Sequence, residues 1–155
     1  MCFQAEEIHA AQQLRELGLS WDPQPGQYVY DAAGLIEQPS PIQDRVYLIH
    51  DLKFFLRQAG SMGAMKNGMC WLPTWREARQ LLRSMGLSDL KLLAALVKSD
   101  ALEQESELLV LYQLLADRIA PGQTRLVLPK PEINAEPVAP RNGTPRSRHL
   151  LASVG

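Results

Sequence analysis

Cysteine and histidine are scarce in this chain of 155 residues, with two of the first (Cys2 and Cys70) and three of the second. Two thiols, one of them at a terminus, give neither zinc-ligand spacing nor a disulfide framework, and the chain reads as one made in a reducing compartment. A surplus of charge is also missing. The 16 basic and 17 acidic residues leave a net charge of -1, which argues against a nucleic-acid or membrane binder that uses its whole surface. No apolar run approaches the ~20 residues of a membrane helix. The opening MCFQAEEIHAAQQ has glutamates where a signal peptide needs positive charge followed by an apolar stretch. A soluble, cytoplasmic protein without a membrane span is the expectation.

What is present suffices for a core. Hydrophobic residues make up 46% and charged residues 21%, which excludes a chain disordered throughout. The charge is unevenly spread. Residues 1–119 hold 11 basic and 15 acidic side chains, a net of -4, whereas residues 120–155 hold five and two, a net of +3. Five prolines fall within residues 129–149 among few apolar side chains. The expected organisation is one globular domain over residues 3–128 and a disordered, basic, proline-rich tail over 129–155.

Residues 4–17 read as a first helix, with Ala10, Leu14 and Leu17 on one face and Gly18 past its end. Gln27–Tyr30 and Leu35–Glu37, joined by Asp31-Ala-Ala-Gly34, suggest a hairpin. Arg45–Ile49 has four large apolar residues in a row and reads as a central strand buried on both faces. Leu52, Phe55, Leu56 and Ala59 mark a second helix closed by Gly60. Residues 60–69 read as a flexible glycine- and methionine-rich loop, and Cys70–Leu72 as a short strand. Thr74 and Glu77 have the spacing of a capping box, opening a helix whose face carries Trp75, Ala78, Leu82 and Met85. Ser88 caps another helix, expected to turn Leu90, Leu93, Ala94 and Val97 inward. A longer helix spans about residues 101–119, and Thr124–Leu128 suits an edge strand. The order implies an α+β fold, a small antiparallel or mixed sheet of three to four strands packed on about five amphipathic helices.

Several residues bear on function. His50 and Asp51 sit where a strand meets a helix, a place where a carboxylate-oriented imidazole could act as a general base; the plainer reading makes Asp51 a helix cap. Cys70 could be a nucleophile if the strands carrying it and His50 are neighbours; otherwise it is a small buried apolar residue. Met62, Met65 and Met69 offer soft ligands for Cu(I), or adaptable packing groups. Arg76, Arg79 and Arg83 form a stripe near Trp71 and Trp75 that suits an acidic partner or a nucleic-acid backbone, or is simply a solvated helix face. Arg141, Arg146, Arg148 and His149 give the tail a basic character of similar meaning. Trp21, Tyr28 and Tyr30 form an aromatic group around a turn, next to the methionine-rich segment. Aromatic and methionine-rich surfaces are common anchors for partners.

Several pieces together resemble a pattern of small bacterial proteins. They are Leu17-Gly-Leu19, Trp21-Asp-Pro23, Pro25-Gly26, the aromatic hairpin with Tyr28 and Tyr30, and Trp71-Leu-Pro73 opening the Thr74 helix, all within about residues 8–119. Such proteins have no established activity, so the resemblance implies no catalytic residue. Where they carry Asp after Pro-Gly, this chain has Gln27, which removes a carboxylate from any site built there. The expected function is therefore non-enzymatic, a small accessory module that binds a protein partner or a small ligand and needs no cofactor. The alternatives are a small enzyme built on His50, Asp51 and Cys70, and a weak nucleic-acid accessory that uses the arginine stripe and the tail.

Overall fold

Three short strands with side chains alternating between two apolar faces organise the chain. Its computed structural model describes residues 2–121. β1 (Tyr28–Asp31) is central, and β2 (Val46–Leu48) and β3 (Met69–Leu72) flank it, each antiparallel to it. Val29 lies opposite Tyr47 on one side and Trp71 on the other. β2 and β3 thus run parallel to each other, and the link between them has to cross β1. That link holds α2 (Leu52–Ala59) and α3 (Met62–Gly68), which cover one face of the sheet. The other face carries α1 (Ala5–Glu16), with α6 (Glu107–Ile119) packed on α1, and α4 (Trp75–Ser84) and α5 (Asp89–Lys98) packed on α6 in the same core. The fold is α+β, with six helices and one three-stranded antiparallel sheet among the described residues. No helix among them is long and apolar enough to cross a membrane. The strand expected at Thr124–Leu128, the end of the domain at residue 128 and the tail expected over 129–155 lie outside the described residues.

Alternation sorts the core into two parts. Val46, Cys70 and Leu72 join Ala10 and Leu14 of α1, Ala78 and Leu82 of α4, Leu92 and Leu96 of α5, and Leu111 and Leu115 of α6. Val29, Ile49 and Met69 meet Phe55 of α2 and Met65 of α3 on the opposite face. Tyr112 bridges helices, donating its buried hydroxyl to the Pro73 carbonyl at 2.6 Å just ahead of α4. The Thr74 box forms as its spacing implies. The Glu77 carboxylate accepts the Thr74 amide at 2.8 Å, and Thr74 Oγ1 accepts the Glu77 amide at 3.4 Å.

Four expectations about the elements and their bounds need correction. Leu35–Glu37 is not a strand, and β1 pairs with Val46–Leu48 instead. The cause is Asp31, whose buried carboxylate accepts the amides of Leu35 and Ile36 at 3.0 and 2.8 Å and so takes them from any ladder. The apolar run at 45–49 is an edge strand, not a central one. Its continuous apolarity reflects cover on both faces of the sheet, since Val46 enters one core and Ile49 the other. The loop expected over 60–69 is largely α3. Ser61 caps it by accepting the Ala64 amide, and Met65 and Met69 are fully buried. The helix expected from residue 101 begins at Glu107, because the chain turns through left-handed backbone at Asp100 (φ 52°) and Glu105 (φ 51°).

One glycine is required by a close approach. A Cβ on Gly68 would lie 2.6 Å from Leu35 Cδ1 and 3.2 Å from Ala33 Cβ, and Ala33 donates to the Gly68 carbonyl at 3.0 Å. This contact pins the segment after Asp31 to the end of α3.

Candidate functional site

The His50, Asp51 and Cys70 constellation does not assemble. β1 lies between the strand that leads to His50 and the strand that carries Cys70. Asp51 caps α2, its Oδ1 accepting the Lys53 amide at 2.9 Å. His50 is exposed, with Nδ1 3.4 Å from the Leu48 carbonyl and its ring stacked on Phe54 at 6.3 Å. Cys70 is buried in the core. Burial pushes its thiol up to about 12, against the pull of Arg15, so it stays protonated and packs as a small apolar group. Met65 and Met69 likewise spend their side chains on the core, and Met62 is half-buried on α3, so the three do not present a common soft-ligand surface. His50 instead lines a shallow apolar groove of about 450 Å³ with Pro39, Pro41, Tyr47, Phe54 and Phe55.

The aromatic group around the turn divides between the two faces of the sheet. Tyr28 and Tyr30 pack towards α1, and Tyr28 meets Phe3 edge-on at 5.5 Å. Trp21 packs with the α2–α3 core. Its indole donates to Gln27 Oε1 at 2.8 Å, and that oxygen also accepts the Gln24 amide at 2.8 Å. Gln27 thereby ties down the turn.

Trp21 and Trp71, separated by fifty residues in sequence, meet in a cavity of about 260 Å³ at the free edge of β3. Ala11 and Arg15 of α1, one turn apart, form one wall; Leu19, Ser20 and Lys66 of α3 complete it. Arg15 also reaches the carbonyls of Asn67 and Met69 at 3.4 and 3.5 Å. Lys66 forms an exposed ion pair with Asp22 at 3.4 Å. Trp71 Nε1 is buried with no hydrogen-bond partner, the only such side-chain atom among the described residues.

The arginine stripe of α4 is partly committed. Arg79 donates to both oxygens of Asp89 at 3.0 and 2.8 Å and lies 5.5 Å from the Trp75 ring. The hydrogen bonds from Arg79 hold the Asp89 carboxyl below its usual range, with Arg83 adding to the effect. Arg76 and Arg83 remain exposed.

The largest departure from the sequence reading lies on α5. Leu92 and Leu96 face the core, whereas Leu90, Leu93 and Val97 are 80%, 53% and 60% exposed, and Ala94 is exposed with them. Just beyond, Leu102 is 55% exposed. Seven of the ten α5 residues are apolar, so two different stripes satisfy a helical period. The inward stripe is the one continuous with Leu87 and Ala101 at the two ends of the helix, which are buried in the same core. The outward stripe was therefore legible only as excess apolarity. Comparisons with known proteins give no match to this chain among protein families, curated proteins or solved structures.

Proposed function

We propose that this chain is a non-enzymatic accessory module, and that α5 receives an amphipathic helix from a partner protein. The observation that carries the reading is the exposure of Leu90, Leu93 and Val97 at spacings i, i+3 and i+7 along a helix already packed through its other face. A helix with one packed face needs only one apolar stripe, so the second is surplus to folding. Burying such a side chain against a partner contributes about 1.5–3 kcal/mol. A patch of this kind marks an interaction surface rather than scattered surface leucines.

Charge selects the partner. At about 100° per residue, Lys91 and Lys98 lie within about 20° of one another on one flank of the stripe. In an antiparallel two-fold pair of α5 helices these lysines would face each other, which disfavours a second copy as the occupant. Asp89, on the other flank, is already engaged by Arg79. The favoured partner is therefore apolar along its stripe and acidic along the flank facing the lysines.

Two labelled helical peptides test this. They share leucines at i, i+3 and i+7 and carry either glutamates or lysines on the flank. Fluorescence anisotropy is expected to show the glutamate peptide binding about tenfold more tightly, with the preference shrinking as salt rises. Leu90→Asp and Val97→Asp are expected to abolish binding of both peptides. Equal affinity for the two, or binding that survives both substitutions, contradicts the reading. So does a dimer of the chain that either substitution dissociates.

A further inference from the structure

We propose that the cavity between Trp21 and Trp71 is a binding site for a compact, flat organic anion, such as an aromatic carboxylate. The site is built from α1, α3, β3 and residues 19–21 and shares no residue with the α5 surface. Its lining joins two indoles, the methyl of Ala11 and the side chain of Leu19 to Arg15, Lys66 and Ser20. Arg and Lys side chains donate and do not accept. No carboxylate lines the cavity. A ligand with an apolar body and a negative end satisfies both halves of this lining, whereas a cationic end is set against Arg15 and Lys66.

Three features sharpen the class. The volume of about 260 Å³ falls below the range of drug-sized sites, so the ligand is small. Two tryptophans line it, and indole rings suit an aromatic or planar body. The cations are available. Arg15 holds its two carbonyl contacts only at 3.4 and 3.5 Å, and the Lys66 ion pair is long and its partner Asp22 is 80% exposed, so a ligand carboxylate competes well for both. Trp71 lines the cavity, and its Nε1–H is buried without a partner.

Benzoate, benzamide and benzylamine, which share a ring and differ in charge, test the site by NMR. Trp21, Trp71 and Trp75 each supply an indole N–H resonance. Benzoate is expected to shift the Trp71 resonance saturably, to leave that of Trp75 in place, and to bind about tenfold more tightly than benzamide, with benzylamine weaker still. Lys66→Gln and Arg15→Gln are each expected to weaken benzoate about three- to tenfold while leaving benzamide unchanged. An otherwise unaltered amide spectrum shows that each variant is folded. The proposal is overturned if benzamide or benzylamine binds as well as benzoate, if Trp75 responds in place of Trp71, or if none of the three moves any indole resonance.

Discussion

Asp31 shows how much one side chain decides. It ends β1, is 1% exposed, and accepts two backbone amides, so the chain that follows leaves the sheet in place of returning as a hairpin. Asp31→Ala strands both amides, at about 1–3 kcal/mol each, whereas Asp31→Asn keeps one acceptor oxygen. Urea unfolding is expected to rank the wild type above Asp31→Asn and Asp31→Asn above Asp31→Ala; an alanine variant as stable as the wild type would refute this role. Glu7 is the second such residue. It closes the capping box of α1 by accepting the Gln4 amide at 2.8 Å, yet it is nearly buried. Burial raises its carboxyl above the ordinary 4.5, the Gln4 amide opposes this, and Glu6 and Glu107 add to the rise. A raised value means that the folded state holds the proton more tightly than the unfolded one. The stability this group contributes is full below its ordinary value and is lost as pH rises through the folded one. Glu7→Gln retains an oxygen for the cap and removes the charge. The melting temperature of the variant relative to wild type is therefore expected to rise from about pH 4 to about pH 7, and a relative gain that grows towards acid would contradict the assignment.

At the scale of elements, local chemistry was legible and competition between elements was not. The Thr74 box is visible in sequence because its partners lie three residues apart and need nothing else. The cap of α2 at Asp51 is similarly local, and it answers the question His50-Asp51 raised, since the carboxylate serves the helix. β2 was readable as a strand but not as an edge, because an apolar run reports cover on both faces and not position in the order. α3 is not legible in sequence because two of its seven residues are glycines and it is too short to show a period, while the burial of Met65 that holds it is a tertiary fact. The outward stripe of α5 was misread for a related reason. Once a helix is apolar nearly all round, only its neighbours decide which stripe is core.

The described residues form a small sheet covered on both faces, with α5 packed through one stripe and exposing another. The two tryptophans of the edge cavity were each noticeable in the sequence, but their meeting depends on α1 and α3 flanking β3 and is a property of the assembled fold. The same assembly separates His50 from Cys70 and divides Trp21 from Tyr28 and Tyr30. α5 is packed through one stripe and exposed along the other, and adjacent residues of that helix test whether the exposed stripe docks a partner. Leu92 is 4% exposed and Leu93 is 53% exposed. Denaturant unfolding of Leu92→Asp and Leu93→Asp, with titration of the glutamate-flanked peptide into the folded variant, is the most direct measurement. Leu92→Asp is expected to cost upwards of about 3 kcal/mol, and Leu93→Asp to stay within about 0.5 kcal/mol of the wild type while losing the peptide. Comparable destabilisation by both substitutions, or undiminished peptide binding by Leu93→Asp, would contradict the account.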